Sequence, residues 1–181
     1  MAVFVLLAAG SSARMGRPKA LLPHPAGAPM ARVWLDRARA AGLHKRVVVG
    51  GADPQALRAL LEEEELWVHN PQWSTTKMRE SLMLAAELCP GEDMLFTPVD
   101  VPPCSVQALG DLAGTQGAAV LGHHGAPGHP ARIPGGRDLA SFPTLRPHLK
   151  GAHVVEGGPD CLLNLNHPAD YAAWFTRAAR G

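Results

Sequence analysis

Short apolar runs and stretches of helical spacing take turns along the chain. Val3–Ala8 is apolar without interruption, the composition of a parallel strand covered on both faces. Pro29–Ala41 places Met30, Val33, Trp34 and Ala38 at helical spacing and stops at Gly42. Arg46–Val49 is a β-branched run ending at Gly50-Gly51, and Asp53-Pro54 reads as an N-cap followed by proline at the first helical position. Leu66–Val68 predicts a short strand, and Met78–Leu88 a helix with Leu82, Ala85 and Ala86 inward. Met94–Thr97 predicts a strand, Ser105–Leu112 a helix and Ala118–Leu121 a strand. Ala169–Ala178 closes the chain as a helix with Tyr171, Trp174 and Phe175 on its apolar side. Strands alternating with helices of this length build βαβ units and an open, mainly parallel sheet, an α/β fold. No repeat or boundary divides residues 1–181, which read as one domain.

Two stretches break the alternation. Gly122–Gly136 is rich in Gly, Pro and His without clear periodicity and reads as a long loop or hairpin. Glu62–Glu65 reads as a solvated, frayed helix end, because acidic side chains are unfavourable at the negative end of the helix dipole.

Composition narrows the class. With 46% hydrophobic and 18% charged residues, the 181-residue chain is globular rather than disordered. Its formal net charge of +1 comes with scattered basic residues, so no groove for nucleic acid is expected. The apolar run Ala2–Ala9 precedes the first positive charge, Arg14, and is too short to span a bilayer. It reads as a buried strand, not a secretion signal or a membrane segment. Cys89, Cys104 and Cys161 form no CxxC pair, and a reducing, cytoplasmic setting is the simpler expectation. His123, His124 and His129 lack the ordered spacing of a metal site.

The richest chemistry follows the first strand, in Leu7-Ala8-Ala9-Gly10-Ser11-Ser12-Ala13-Arg14-Met15-Gly16-Arg17-Pro18-Lys19. Small residues let backbone N–H groups approach a bulky anion, and Arg14 and Lys19 supply positive charge to a triphosphate. The segment lacks the Gly-Lys-Ser/Thr end of a P-loop and does not fit GxGxxG. It lies where open α/β sheets bind ligands, beyond the carboxyl end of a strand. A flexible turn with two solvated cations is the other reading of the same residues.

From Leu7 to Leu22 the segment resembles the signature loop of the MobA-like nucleotidyltransferases, the group of the molybdenum-cofactor guanylyl- and cytidylyltransferases. Asn70-Pro71, Trp73, Met78 and Ser81-Leu82 resemble a second stretch of that family near the nucleotide, with Lys77 standing where the family usually has glycine. Pro98-Val99-Asp100-Val101-Pro102 resembles its Asp-x-Pro motif, and Leu163–Asp170 its C-terminal metal-binding stretch. His167 and Ala169 depart from the usual Thr and Glu there. Gly128-His129-Pro130 resembles an element beside the acceptor pocket, and Ala152 stands where the cytidylyltransferase branch carries an acid.

The resemblance implies a three-layer α/β/α, Rossmann-like sheet of the nucleotide-diphospho-sugar transferase type. It implies nucleotide binding by Leu7, Ala8, Ala9, Gly10, Ser11, Ser12, Arg14, Met15, Gly16, Lys19, Asn70, Ser81 and Asp100, with Arg14, Lys19 and Asp100 catalytic. Mg²⁺ is the implied cofactor, held by Asp100 and Asn164, since this ion takes oxygen ligands and substrate phosphates. The implied reaction moves CMP or GMP from CTP or GTP, CTP first, to a phosphorylated acceptor such as molybdopterin. Transfer to a sugar or polyol phosphate, or nucleotide binding without turnover, are the alternatives.

Overall fold

The computed structural model describes residues 2–180; Met1 and Gly181 lie outside the described residues. Among the described residues, strands and helices alternate up to β5: β1 (Ala2–Ala8), α1 (Met30–Ala40), β2 (Arg46–Gly50), α2 (Pro54–Arg58), β3 (Glu65–His69), α3 (Met78–Leu88), β4 (Asp93–Pro98), α4 (Val106–Gly114) and β5 (Ala119–His123), followed by β6 (Ala126–Ile133), β7 (His153–Glu156) and α5 (Pro168–Ala178). The seven strands form one sheet in the order β3-β2-β1-β4-β6-β5-β7. β6 runs antiparallel to β4 and β5, and every other neighbouring pair is parallel. The expected mostly parallel α/β sheet is the one observed.

Alternation along β1 explains the three layers. Phe4 and Leu6 point to one face, under Trp34, Leu35 and Ala38 of α1 and Leu109 and Leu112 of α4. Val3, Val5 and Leu7 point to the other, under Leu82 and Ala85 of α3. Val3, Phe4, Val5 and Leu6 are completely buried, each worth about 1.5–3 kcal/mol over an exposed counterpart. The indole N–H of Trp34 donates to the Val101 carbonyl at 3.0 Å, so this large side chain is buried without an orphaned donor.

The hairpin reading of Gly122–Gly136 holds: its second arm is the eight-residue strand β6, antiparallel to β5 and also paired to β4. Two other points differ from the sequence reading. β7 was missed altogether, because His153–Glu156 is a short edge strand with polar ends. Glu62–Glu65 is not a solvated helix end, for α2 finishes at Arg58 and Glu65 opens β3 with its carboxylate buried. Glu65 accepts two bonds from Arg32, at 2.8 and 2.6 Å, and one from the buried Arg46 at 3.4 Å. Arg46 also donates to the carbonyls of Leu43 and His44. The compensating cations stand on α1 and β2, so a local count of like charges misread the site.

The chain builds β1, β2 and β3 outward, then crosses back to lay β4 on the opposite side of β1. This reversal opens a crevice between the carboxyl ends of β1 and β4, the usual ligand position in open α/β sheets. The two strands stay zipped at its base, where Val99 N–H donates to the Leu7 carbonyl at 3.0 Å.

Candidate active site

The segment after β1 is a fixed turn rather than a loose loop. Ser12 adopts a left-handed backbone with φ 52°. Its carbonyl accepts from the N–H groups of Met15 and Gly16, and its hydroxyl from Lys19 N–H at 3.0 Å. Met15 then enters a small core with Leu22, Met30, Leu165 and Trp174, joined by Tyr171 and Phe175 of α5. The apolar face expected of the last helix thus serves to hold the turn. Gly10 lines three adjoining cavities at the crevice, and a Cβ there would project into open space rather than into protein. Gly51 is the tightly fitted glycine, where a Cβ would lie 2.2 Å from the Ala9 carbonyl oxygen and 2.7 Å from Trp73 Cβ. Sequence reading passed over Gly51 because only the tertiary approach of β1 and Trp73 makes it obligatory.

Lys19 closes the turn, opposite Asp100. Its ammonium donates to Asp100 Oδ2 at 2.9 Å and to Asn166 Oδ1 at 2.7 Å, and Arg14 Nη2 reaches the same Asn166 oxygen at 3.5 Å. Asp100 Oδ1 is sealed from solvent without a hydrogen-bond partner. A buried, unpaired carboxylate oxygen beside a cleft is a vacant ligand position. Asn166, not Asn164, provides the amide oxygen next to Asp100. Asn164 is exposed, while Leu165 between them is buried and its N–H donates to the Asp100 carbonyl at 2.7 Å. Asn166 N–H donates to the Asn164 carbonyl at 2.9 Å, a three-residue turn that breaks the extended path, so two asparagines that a regular strand would set on one face part company. The structure sets Asn166 beside Asp100, where Asn164 was expected.

The remaining named residues divide by role. Leu7, Ala9, Gly10, Ser12, Lys19, Ser81 and Asp100 share one cavity, with Trp73, Thr76, Lys77 and Met78 opposite. Ala8, Ser11 and Gly16 line the adjoining one, and Arg14 the third. Asn70 lines none of these cavities. Its side chain accepts from Gln72 N–H and donates to the hydroxyls of Thr76 and Ser81, so both amide hydrogens are committed to shaping the wall. Met15 likewise anchors rather than lines.

A cavity of about 820 Å³ adjoins this site through Met78. Phe96, Val120, Leu145, Leu149, Ala152 and Val154 make its wall apolar, and its only charged side chains are the exposed Arg146 and Lys150. His129 lines it with its ring edge-on to Phe96, and burial lowers the imidazole pKa against the opposing pull of Asp100. His123 does not join it; its Nδ1 lies 2.6 Å from Glu156. The described residues hold no cluster of three or more His, Cys, Asp or Glu able to bind a metal. Cys89, Cys104 and Cys161 are buried free thiols, and burial pushes Cys104 up to about 12. No described helix is long and apolar enough to cross a membrane.

Comparison with known proteins agrees with this geometry. A "Probable molybdenum cofactor guanylyltransferase" of Rhodopirellula baltica is 38% identical over 107 residues, 58% of this chain and 51% of the relative. Nicotine blue oxidoreductase of Paenarthrobacter nicotinovorans is 38% identical over 111 residues, 60% of this chain and 53% of that one. The match thus spans about half the length of each curated relative. Among solved structures, a nucleotidyl transferase from Methanothermobacter thermautotrophicus superposes with a TM-score of 0.81 at 23% identity, over 99% of this chain and 98% of the other. Rv0371c from Mycobacterium tuberculosis H37Rv, solved in complex with manganese, gives 0.72 at 23% identity over 97% and 98% of the two chains. At these identities the likeness is one of fold. Residues 4–161 match the model of the MobA-like NTP transferase domain, and the chain belongs to that family.

Proposed function

We propose that the chain transfers CMP or GMP from a nucleoside triphosphate to a phosphorylated acceptor, releasing pyrophosphate. The observation that carries the reading is the meeting of the Gly10–Lys19 turn with Asp100 and Asn166 at the crevice between β1 and β4. In the reaction an acceptor phosphate oxygen forms a bond to the α-phosphorus, and the bond from that phosphorus to the β-phosphate bridging oxygen breaks. The acceptor phosphate is already ionised at neutral pH, so the protein's work is positioning and charge neutralisation. The turn's N–H groups and the cations of Arg14 and Lys19 receive the triphosphate. In the free protein Lys19 rests on Asp100 and Asn166, and turning to a phosphate uncovers both oxygens.

Asp100 and Asn166 fit a hard divalent ion: one is a carboxylate with an unpaired sealed oxygen, the other a neutral amide oxygen beside it. When bound, Mg²⁺ would supply further neutralisation of triphosphate charge. The manganese complex of Rv0371c supports a divalent ion on this scaffold.

The acceptor would enter the cavity beside Met78, where Arg146 or Lys150 can meet its phosphate. Molybdopterin is the acceptor to which the name of the Rhodopirellula relative, a molybdenum cofactor guanylyltransferase, points; a sugar or polyol phosphate is the alternative. Thermal unfolding with CTP, GTP, UTP and ATP, each with and without Mg²⁺, tests the nucleotide half of the reading. A ligand at a hundred times its Kd adds about 2.7 kcal/mol, and no shift with any triphosphate would overturn it.

A further inference from the structure

The wall of the nucleotide cavity facing away from Asp100 carries a feature outside the family pattern. Among the described residues, and apart from the Lys19–Asp100 pair, Lys77 is the only charged residue lining that cavity, alongside Trp73, Thr76 and Ser81. Its backbone is fixed as the residue before α3, with its N–H donating to Glu80 Oε2 at 3.0 Å. Glu80 does not neutralise the Lys77 ammonium, because Arg79 holds the same carboxylate at 2.7 and 3.1 Å. Nζ of Lys77 has no hydrogen-bond or carboxylate partner among the described residues. The hydroxyl of Thr76 is committed in both directions, accepting from Asn70 and donating to the Gln72 carbonyl. Ser81 accepts from Asn70 and keeps one proton to give. This end of the cavity therefore presents donors, and Lys77 is the strongest of them.

Resting on the nucleotide-transfer reading above, we propose that Lys77 is a specificity-determining residue that selects carbonyl-bearing bases over adenine. The phosphates belong at Gly10–Lys19, which leaves the Trp73–Ser81 end for the base. An ammonium has three donors and no acceptor, so it pairs with a keto oxygen and not with an exocyclic amine. Lysine against the O6 and N7 of guanine is a favoured pairing of this kind, whereas adenine turns an amino group to the same edge. Cytosine also carries one carbonyl, so both nucleotides proposed above meet the requirement.

Calorimetric titration of GTP, CTP, ITP and ATP, with inorganic tripolyphosphate as a base-free probe, tests this on the intact protein and on Lys77→Gly and Lys77→Gln. ITP differs from ATP at the purine 6-position, where an oxo group replaces the amine. The tightest carbonyl-bearing nucleotide is expected to exceed ATP by about tenfold or more in the unsubstituted protein, the scale of a charged hydrogen bond. Both variants should bring that ratio close to one while leaving ATP and tripolyphosphate binding unchanged. An unmoved ratio, or equal losses for ATP and tripolyphosphate, overturns the role in base selection although triphosphates still bind. Absence of binding by every triphosphate is a different result, which removes the nucleotide reading itself and this inference with it.

Discussion

Replacing Lys19 with alanine perturbs the turn and the acidic group together, and its two effects have opposite signs. In the free protein the ammonium is 12% exposed and holds Asp100 and Asn166 at 2.9 and 2.7 Å. A charge-assisted hydrogen bond contributes about 1.5–3 kcal/mol, which at 1.4 kcal/mol per decade is roughly 10- to 150-fold in triphosphate affinity. Lys19 must leave two such partners to reach a phosphate, so the loss should sit near the lower end, about ten- to thirtyfold. The same substitution strips Asp100 of its cation. Divalent-ion affinity in the absence of nucleotide should therefore rise, because no ammonium competes for the two oxygens. The fold should survive, since Lys19 belongs to none of the apolar clusters that hold the layers together. Calorimetric titration of triphosphate and, separately, of Mn²⁺ into Lys19→Ala reads both effects, with thermal unfolding as the control. Unchanged affinity for both ligands would refute the idea that this lysine exchanges a carboxylate for a phosphate.

Asp100→Asn should cut turnover by about a hundredfold or more and raise the Mg²⁺ needed for half-maximal rate, since a neutral amide is a weaker ligand; steady-state rates across a metal series check this. Glu65→Ala should cost about 3 kcal/mol in urea unfolding, because it removes the buried carboxylate shared by Arg46 and Arg32 and leaves them only the exposed Glu64, Asp36 and Glu62; a loss under 1 kcal/mol would contradict that account. His24 is held neutral, its pKa lowered from 6.5 to about 4 by burial first and by Arg37 second. The unfolded chain binds this proton below pH 6.5 and the folded one only below about 4, so its contribution is complete above 6.5 and falls away as the pH drops through that window. The difference between unfolding free energies of the unsubstituted protein and His24→Gln, followed from pH 7 to pH 4, should shift by on the order of 2–3 kcal/mol; a flat difference would contradict it.

What was legible in the sequence was what local pattern controls. β1, α1, α3 and the Asp53 cap followed from apolar spacing and capping chemistry, and Asp53 does accept from Ala56 N–H. The turn from Gly10 to Lys19 was legible because small residues and cations gather directly after a buried strand. Long-range compensation was not legible. Glu65 looked solvated because Arg32 and Arg46 lie far from it in the chain, and loop and hairpin could not be told apart for β6 because its pairing partners supply the order its own residues lack. Which asparagine meets Asp100 turned on the three-residue turn from Asn164 to Asn166, which no sequence pattern marks. Gly51 needed the approach of Ala9 and Trp73 to be known.

Pyrophosphate release, followed together with the fate of an α-labelled triphosphate, addresses nucleotide transfer most directly. Incubating the protein with Mg²⁺, α-labelled CTP or GTP and molybdopterin should release one pyrophosphate for each label that appears on the acceptor. Asp100→Asn should lower both products together, by about a hundredfold or more. Tight triphosphate binding with no pyrophosphate from either nucleotide, across molybdopterin and a panel of sugar and polyol phosphates, would contradict the account and leave a nucleotide-binding protein without turnover.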